Sequence, residues 1–484
     1  MTRLWRFPRA VPFLIMREAL WRYVRSFPWN TDVQKVISSE TRNLLWQFYH
    51  LDFSHSFEMT QLRKSLLKVM SQDHHATVEH LFRQEYGKVV ALLTHKFGTS
   101  HLEQIEDATQ DTFVKAMQVW AYKSVPDNPT AWLYRVASNR LIDVLRRDKK
   151  MDFHDTEQLS QHNATEQDGN PTLDTTLSDS QLKMIFACCH PALSQEYQIV
   201  LSLKLIGGFS NKELAEALLK KEEAVAKSFT RAKKKFREEV RMLKIPVEMG
   251  LQSRLFRVLQ VIYLLFSEGY AATSGALIIK RDICYEALRL ALLMQQNTYC
   301  QHPNLEALIA LMCFHASRFD ARLDDEGALV TLEHQDRSKY NQELIVIGMR
   351  HLERAGTQDR TPSKYHLEAA RSYYHSTAKS FAETDWKNIL YLYDLQLKLE
   401  PSSIVALHRI VAFAKMHGAE KALGELRQLE QKNNFADQAL FHAIKAELYF
   451  DLGKTKEQRA ALERAIALTE NELVKAHYRK KMGT

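Results

Sequence analysis

The chain has 484 residues, too many for one hydrophobic core, so two to four domains are expected. Its 15 glycines and 11 prolines are few for a strand-rich fold, and its 45% apolar content is ordinary for a soluble protein, which together favour helices over sheets and over membrane spans. The net charge of +8 mildly favours anionic partners, and five cysteines without a signal peptide favour the reducing cytoplasm.

Residues 1–69 differ in composition from the rest of the chain. They carry four of the seven tryptophans (Trp5, Trp21, Trp29 and Trp46), are rich in Lys and Arg, and show weak helical periodicity. One hypothesis is a basic, aromatic arm that touches nucleic acid or a membrane. The other is an upstream extension outside the working protein, with Met70 as the true start, directly before a clean helical pattern at 78–97.

Residues 70–147 are predicted to form a compact helical domain. Within it, the segment from Ile105 to Trp120 has an apolar side that includes Phe113. Asp107, Gln110 and Asp111 follow one another at i, i+3 and i+4 on the opposite side. These acceptors have no local basic partner, so the stripe suits docking of a basic helix from another protein. A merely solvated acidic face is the alternative.

The next helix, 132–147, is basic. Leu133, Ala137 and Leu141 form its inward stripe, and Arg135, Asn139 and Arg146 form a second stripe, flanked by Arg140 and Arg147. Arginine makes bidentate phosphate contacts and asparagine can read an adenine edge, so this face suits DNA. The Pro-containing loop before it could hold an unstacked base. For each arginine taken alone, a solvated surface charge is the alternative.

Residues 148–180 are polar and are predicted to be a flexible linker. Residues 181–245 are predicted to hold a helix-turn-helix, whose first helix starts at a capping box, Ser210 to Glu213. The second helix, 222–237, buries Val225, Phe229, Ala232 and Phe236. Its basic face comprises Lys227, Arg231 and Lys234, with Ser228, Lys233 and Lys235 beside them. The turn lacks glycine, and an exposed basic helix without a DNA role is the alternative.

Residues 246–484 show repeated helical periodicity and no strand alternation. Much of 360–484 is predicted to be an α-solenoid, because Ala446, Tyr449, Leu452, Gly453 and Ala465 fall at the small and aromatic positions of a tetratricopeptide-type unit. The whole chain is therefore predicted to be all-α.

Two further clusters carry candidate chemistry. Cys188-Cys189-His190 lacks the separated pairs of a zinc site, so the segment from Ile185 is predicted to begin a packed helix, and we expect no metal and no cofactor. Glu268, Tyr270, His334, Asp336 and Arg337 could form a ligand pocket or buried ion pairs. The alternative that 250–350 hides an enzyme has no nucleophile–base pattern or phosphate loop to support it, so we expect no catalysis.

The segment 107–113, followed by 131–140 and 143–147, resembles region 2 of the extracytoplasmic-function sigma factors of bacterial RNA polymerase. Residues 201–215 and 231–233 resemble region 4 of the same family, in the same order along the chain. The segments 258–275 and 323–341, with Cys188 to Pro191, resemble the long C-terminal extension of one subgroup of that family.

This resemblance implies a protein that binds core RNA polymerase and promoter DNA. Asp107, Gln110 and Asp111 are implied to contact the clamp helices of the β′ subunit, with Phe113 as core support. The residues implied to hold −10 DNA are Asn128, Arg135, Asn139, Arg140, Arg146 and Arg147. Region 4 is implied to read the −35 element and to bind the β flap.

Two points stay open at the level of sequence. A helix-turn-helix regulator with a helical-repeat sensor domain, which does not replace a sigma factor, is the alternative function. The extension is expected to regulate activity in cis, through a regulatory partner or a ligand.

Overall fold

The computed structural model describes residues 78–120, 122, 125–148, 171–218, 220–245, 249–270, 281–324, 327–356, 361–432, 435–469 and 471–483. The hypotheses on residues 1–69 and on Met70 as a start lie outside this part of the chain. The described residues form helices joined by short turns, with one isolated antiparallel bridge between Leu323 and Leu329. The predicted all-α class is confirmed.

The first helices form a small bundle. They are α1 (Val78–Phe97), a 3₁₀ turn (Thr99–His101), α2 (Leu102–Trp120) and α3 (Pro129–Asp148). Their predicted inward residues are buried: Ile105, Phe113 and Ala116 on α2, and Leu133, Ala137 and Leu141 on α3. The side chain of Asn128 accepts a hydrogen bond from the backbone N–H of Ala131 (3.0 Å) and so caps α3.

The helix α4 (Pro171–Cys188) begins inside the segment predicted as a linker. Proline suits a first helical position, and the buried Ser180 hydroxyl lies 2.9 Å from Nδ1 of His95 on α1. Composition alone predicts that the polar residues of this segment are solvated, but α4 packs on α1 and gives some of them hydrogen-bond partners. The predicted linker therefore extends too far at its C-terminal end. The prediction that a helix begins at Ile185 was also wrong, because α4 ends at Cys188.

The helix-turn-helix follows as α5 (Gln195–Leu205), α6 (Asn211–Ala217) and α7 (Glu222–Glu239). The predicted capping box is present: the backbone N–H of Glu213 donates to Ser210 Oγ (3.1 Å), and the N–H of Ser210 donates to Glu213 Oε2 (2.8 Å). Val225, Phe229, Ala232 and Phe236 are buried, as predicted.

The described residues of the C-terminal extension are mainly helical, except for 317–341, which hold two 3₁₀ turns and the Leu323–Leu329 bridge. Its helices are α8 (Met249–Tyr270), α9 (Arg281–Gln295), α10 (Pro303–Ala316), α11 (Gln342–Gly356), α12 (Lys364–Thr377), α13 (Trp386–Leu399), α14 (Ser403–His417), α15 (Ala419–Lys432), α16 (Ala439–Asp451), α17 (Thr455–Leu468) and α18 (Glu472–Met482). From α12 onward each helix packs against the next. Ala446 on α16 packs against Ala461 and Leu462 on α17, and Gly453 adopts a positive φ of 69° in the turn between them. The tetratricopeptide assignment stays a prediction.

The extension shares a core with the helix-turn-helix. Val258, Ile262 and Leu265 of α8 line one apolar region together with Ile185 of α4 and Leu203 of α5. A cut near residue 250 would therefore expose apolar surface that α4 and α5 bury.

Two negative findings concern the described residues. No helix there is long and apolar enough to span a bilayer, and no group of three His, Cys, Asp or Glu side chains there is arranged to hold a metal ion. Cys188 and Cys189 are buried, and burial raises the pKa of the Cys189 thiol to about 12.

Candidate functional site

The α2 surface carries the residues predicted to dock a partner. Asp107, Gln110 and Asp111 are exposed, and Phe113 lies beneath them in the core of the bundle. Helical spacing alone places these three acceptors on one side, because residues at i, i+3 and i+4 share a face. The structure thus presents two carboxylates and an amide on one accessible patch, which we call the acidic patch.

The acidic patch has a basic neighbour that is distant in the sequence. Arg140 of α3 donates two hydrogen bonds to Asp111 Oδ2, at 3.0 Å from Nε and 2.6 Å from Nη2. Both side chains are more than half exposed, so the pair contributes at most about 1 kcal/mol. Arg140 lies 29 residues further along the chain, and only the packing of α2 on α3 brings the two together. Any partner that binds the Asp111 carboxylate would compete with Arg140.

The basic face of α3 is accessible. Arg135, Asn139, Arg146 and Arg147 are exposed, on the side away from the buried stripe. The ring of Trp132 at the start of α3 lies 5.3 Å from the ring of Trp120 at the end of α2. Asn128 in that loop is exposed, although its side-chain oxygen is engaged in capping α3.

The second helix of the helix-turn-helix presents a basic stripe. Lys227, Arg231 and Lys234 are exposed at i, i+4 and i+7, and none of them makes an ion pair within the described part of the chain. A helix face with three unpaired cations can bind the phosphates of a nucleic acid, because binding releases the counterions condensed on those phosphates.

Ser228, Lys233 and Lys235 contact protein groups in this structure. The Ser228 hydroxyl is buried and donates to Glu196 Oε1 (2.9 Å). Lys235 pairs with Glu239 one turn later at 2.6 Å. Because all three residues lie beside the exposed stripe on a helical wheel, the sequence predicted that they contact DNA. A helical wheel could not show that Ser228 meets α5 and that Lys233 meets α2.

Lys233 links α7 to α2. Its ammonium lies 2.7 Å from Glu106 Oε2 on α2, with side-chain exposures of 16% and 6%. Burial raises the pKa of Glu106, and Lys233 opposes that rise. Nearby, Arg237 lies 3.2 Å from Glu103, and the Thr99 hydroxyl donates to the backbone carbonyl of Arg241 (3.1 Å). The region 2 and region 4 segments are therefore in direct contact.

Gly87 allows the backbones of the two segments to approach each other closely at that contact. A Cβ atom added at Gly87 on α1 would lie 2.1 Å from the carbonyl oxygen of Ile206, which follows α5. No side chain fits there without separating the two backbones. The sequence contains this glycine inside a helical pattern, and that was the only signal for the contact.

Charge reversal at Lys233 tests this contact. We expect Lys233→Glu to open the two regions, because two buried carboxylates would then face each other, and breaking a buried pair costs about 3–5 kcal/mol. Fluorescence energy transfer between dyes on α3 and α7 of the free chain should fall. Lys234→Glu, on the exposed side, serves as the matched control. Restored transfer in the Glu106→Lys, Lys233→Glu double variant supports the pair, and unchanged transfer in Lys233→Glu contradicts it.

Comparisons with known proteins agree with this geometry. Residues 81–151 match the family Sigma-70 region 2, and residues 183–236 match Sigma-70, region 4. Residues 254–356 match a family of unknown function, DUF6596. RNA polymerase sigma factor YlaC of Bacillus subtilis (strain 168) is 32% identical over 148 residues, which are 30% of this chain and 81% of that protein.

A longer relative covers the extension as well. An uncharacterized protein of Rhizobium meliloti (strain 1021) is 33% identical over 381 residues, 78% of this chain and 89% of that protein. No solved structure matches the chain significantly.

Proposed function

Because the chain belongs to the extracytoplasmic-function group of sigma-70 family RNA polymerase sigma factors, we propose a specific division of labour among its surfaces. The acidic patch contacts the clamp helices of the polymerase β′ subunit, and the two basic helices contact promoter DNA. The observation that carries this proposal is one chain with an exposed acidic patch on α2 and two exposed basic faces, on α3 and α7. Run-off transcription with core polymerase tests it, as described at the end of the Discussion.

Region 2 is proposed to hold the opened −10 strand. Arg135, Arg146 and Arg147 supply cations along α3, and Asn139 supplies an amide that can pair with a base edge. Asn128 stands in the loop at the start of α3, where its side-chain nitrogen can donate while its oxygen caps the helix. Arg140 takes part once a polymerase contact at Asp111 releases it.

Region 4 is proposed to place α7 in the major groove of the −35 element. Lys227, Arg231 and Lys234 lead this contact, since they are exposed and unpaired within the described residues. We also propose that region 4 contacts the β flap, on the basis of its resemblance to region 4 of the sigma factor family. Ser228 and Lys233 reach DNA only after their present partners release them.

Promoter binding requires the two regions to separate. The −10 and −35 elements lie roughly 85 Å apart along B-DNA at 3.4 Å per base pair. In the described structure, Lys233 of region 4 touches Glu106 of region 2. The 22 residues from 149 to 170 span at most about 75 Å when fully extended. Together with the widths of the two domains, this segment is long enough to let region 2 reach the −10 element while region 4 reaches the −35 element. We therefore propose that the free chain is closed and that the promoter-bound chain is open.

The extension is proposed to regulate initiation in cis, in the bacterial cytoplasm where core polymerase acts. Arg289 of α9 supports this link: it donates to both oxygens of Glu286 (2.7 Å each) and to Gln181 of α4 (3.3 Å). A change in the extension can therefore alter the position of α4.

Truncation tests the regulatory role. Deleting 250–484 would expose the core shared by α8, α4 and α5, so the cut is better placed between α13 and α14, removing 401–484. We expect promoter-specific transcription to change at least threefold while thermal unfolding of the remainder stays cooperative. Unchanged transcription by a cooperatively folding truncation contradicts a role for 401–484 in regulation.

A further inference from the structure

Basic side chains cluster inside the extension, away from both DNA-facing helices. The cluster forms where the end of α8, the turn after α10, the 3₁₀ turn Arg337–Lys339 and α12 meet. Its members are Arg318, Arg322, Arg337, Arg371, His315 and His375. We call it the arginine cluster.

Among the described residues, the arginine cluster forms no ion pair with a carboxylate. Arg318 and Arg371 are only 7% and 8% exposed. Within the part of the chain that the structure describes, no carboxylate oxygen lies within 4 Å of any of its four guanidinium groups. Glu368, one turn before Arg371, influences it at longer range, and burial raises the pKa of that carboxyl. Buried charges without a partner are strongly unfavourable, so this arrangement needs a physical explanation.

Aromatic rings orient the guanidinium groups without neutralising them. The Arg322 guanidinium carbon lies 3.9 Å from the centre of the Tyr270 ring, and that of Arg371 lies 4.2 Å from the Tyr393 ring. Arg318 Nη2 donates to the Tyr270 hydroxyl at 2.5 Å. Such cation–π contacts contribute about 0.5–2 kcal/mol each, less than the cost of burying the charges. They hold the planar donor groups in fixed directions.

Donor atoms without an acceptor remain in the cluster. They are Arg318 Nε, Arg337 Nη2 and Arg371 Nη1, and the ring atom His375 Nδ1 is also buried without a partner. Buried donors normally have partners, so several in one place indicate a missing acceptor.

The residues of the cluster are connected by short contacts. Arg337 Nη1 donates to the backbone carbonyl of His375. Arg318 Nη2 lies 3.0 Å from His315 Nδ1, and the other ring nitrogen of His315 lies 3.3 Å from the hydroxyl of Ser372, the neighbour of Arg371. The end of α10 and the 3₁₀ turn Arg337–Lys339 therefore both contact α12.

The histidines do not add charge to the cluster. Burial, followed by repulsion from Arg318, Arg337 and Arg371, lowers the pKa of His375 to about 3. The pKa of His315 is also lowered, for the same two reasons. Both rings are neutral at pH 7, and a neutral ring can donate one hydrogen bond and accept another.

We propose that the arginine cluster is a binding site for the phosphate monoester group of a small molecule. A phosphate monoester carries about −1.5 to −2 charges and three acceptor oxygens. A phosphate monoester therefore fits three unpartnered guanidinium N–H donors better than a ligand carboxylate does, because a carboxylate has only one charge and two oxygens. A DNA phosphodiester brings one charge on a polymer, and the burial of Arg318 and Arg371 disfavours it. The proposal does not depend on the roles proposed for α2, α3 and α7.

Binding to the full chain tests the site directly. Inorganic phosphate, adenosine monophosphate, sulfate and acetate are titrated at constant ionic strength, with calorimetry and thermal unfolding as readouts. We expect saturable binding of phosphate or adenosine monophosphate at one site per chain, with a Tm rise of several degrees. Tighter binding of the nucleotide identifies a phosphorylated small molecule as the ligand type, and tighter binding of inorganic phosphate identifies the free anion.

Variants separate a ligand site from a structural cluster. Arg337→Met and Arg371→Met remove one repelling charge each, so we expect the Tm of the ligand-free chain to stay the same or rise. The phosphate-dependent Tm rise should fall at least fivefold in both. Arg427→Met, at an exposed position on α15, is the matched control and should leave both readings unchanged.

Three outcomes overturn the proposal. The first is no saturable binding of phosphate or of adenosine monophosphate to the wild-type chain. The second is equal binding of acetate. The third is full phosphate binding by a folded Arg337→Met, Arg371→Met double variant. None of these outcomes bears on polymerase or promoter binding, so failure here leaves the proposed function untouched.

Discussion

The double variant Asp107→Lys, Asp111→Lys should bind core RNA polymerase at least about 100-fold more weakly than the wild-type chain. Truncating or reversing a close charge pair in a protein interface costs about 2–5 kcal/mol, and about 1.4 kcal/mol corresponds to a factor of ten. Both side chains are exposed on α2 and do not contribute to the bundle core, so the fold should survive. Affinity is measured by titrating labelled chain with core enzyme.

Two companions sharpen this test. Asp143→Lys changes an exposed carboxylate on α3 outside the acidic patch and should leave the core affinity within twofold. Arg140→Ala removes the intramolecular competitor for Asp111 and should leave the affinity unchanged or raise it slightly. Wild-type affinity in the double variant would show that the polymerase contact lies elsewhere on the chain.

Replacing Lys227, Arg231 and Lys234 together with alanine should weaken binding to −35 DNA roughly 100-fold at about 0.15 M salt. Each lost phosphate contact reduces the magnitude of the slope of log affinity against log salt concentration by about 0.9. We therefore expect this magnitude to fall by about 2.7 in the triple variant and by about 1 in Arg231→Ala. The reason is that all three cations are exposed on one face of α7 and are unpaired within the described residues. Binding is measured over a salt series.

The same helix provides the control. Lys235 pairs with Glu239 and lies beside the stripe, so Lys235→Ala should change the slope by less than about 0.5. A triple variant with an unchanged slope would exclude α7 as the phosphate-binding helix. A lower affinity with an unchanged slope would point to loss of base contacts instead of phosphate contacts.

Local pattern predicted the helices and their faces well. The stripes Leu133, Ala137 and Leu141 on α3 and Val225, Phe229 and Ala232 on α7 are buried as the 3.6-residue period requires. The capping box at Ser210 is likewise a short-range feature, because its two hydrogen bonds join residues three positions apart.

Partners distant in sequence could not be predicted in this way. Asp111 meets Arg140 and Lys233 meets Glu106 only after helices pack, and each pair is separated by at least 29 residues. For the same reason, the sequence pattern grouped Arg337 with Glu268, Tyr270, His334 and Asp336, as a ligand pocket or buried ion pairs, and did not include Arg318 or Arg371. Helical periodicity indicates that a residue faces inward but does not identify the residue it meets there.

The most direct test of the central claim is run-off transcription with purified core RNA polymerase, a defined promoter template and this chain as the sole added factor. We expect a transcript of defined length with the wild-type chain and none with Asp107→Lys, Asp111→Lys. DNA binding without a transcript would contradict the proposed function and favour a helix-turn-helix regulator that does not replace a sigma factor.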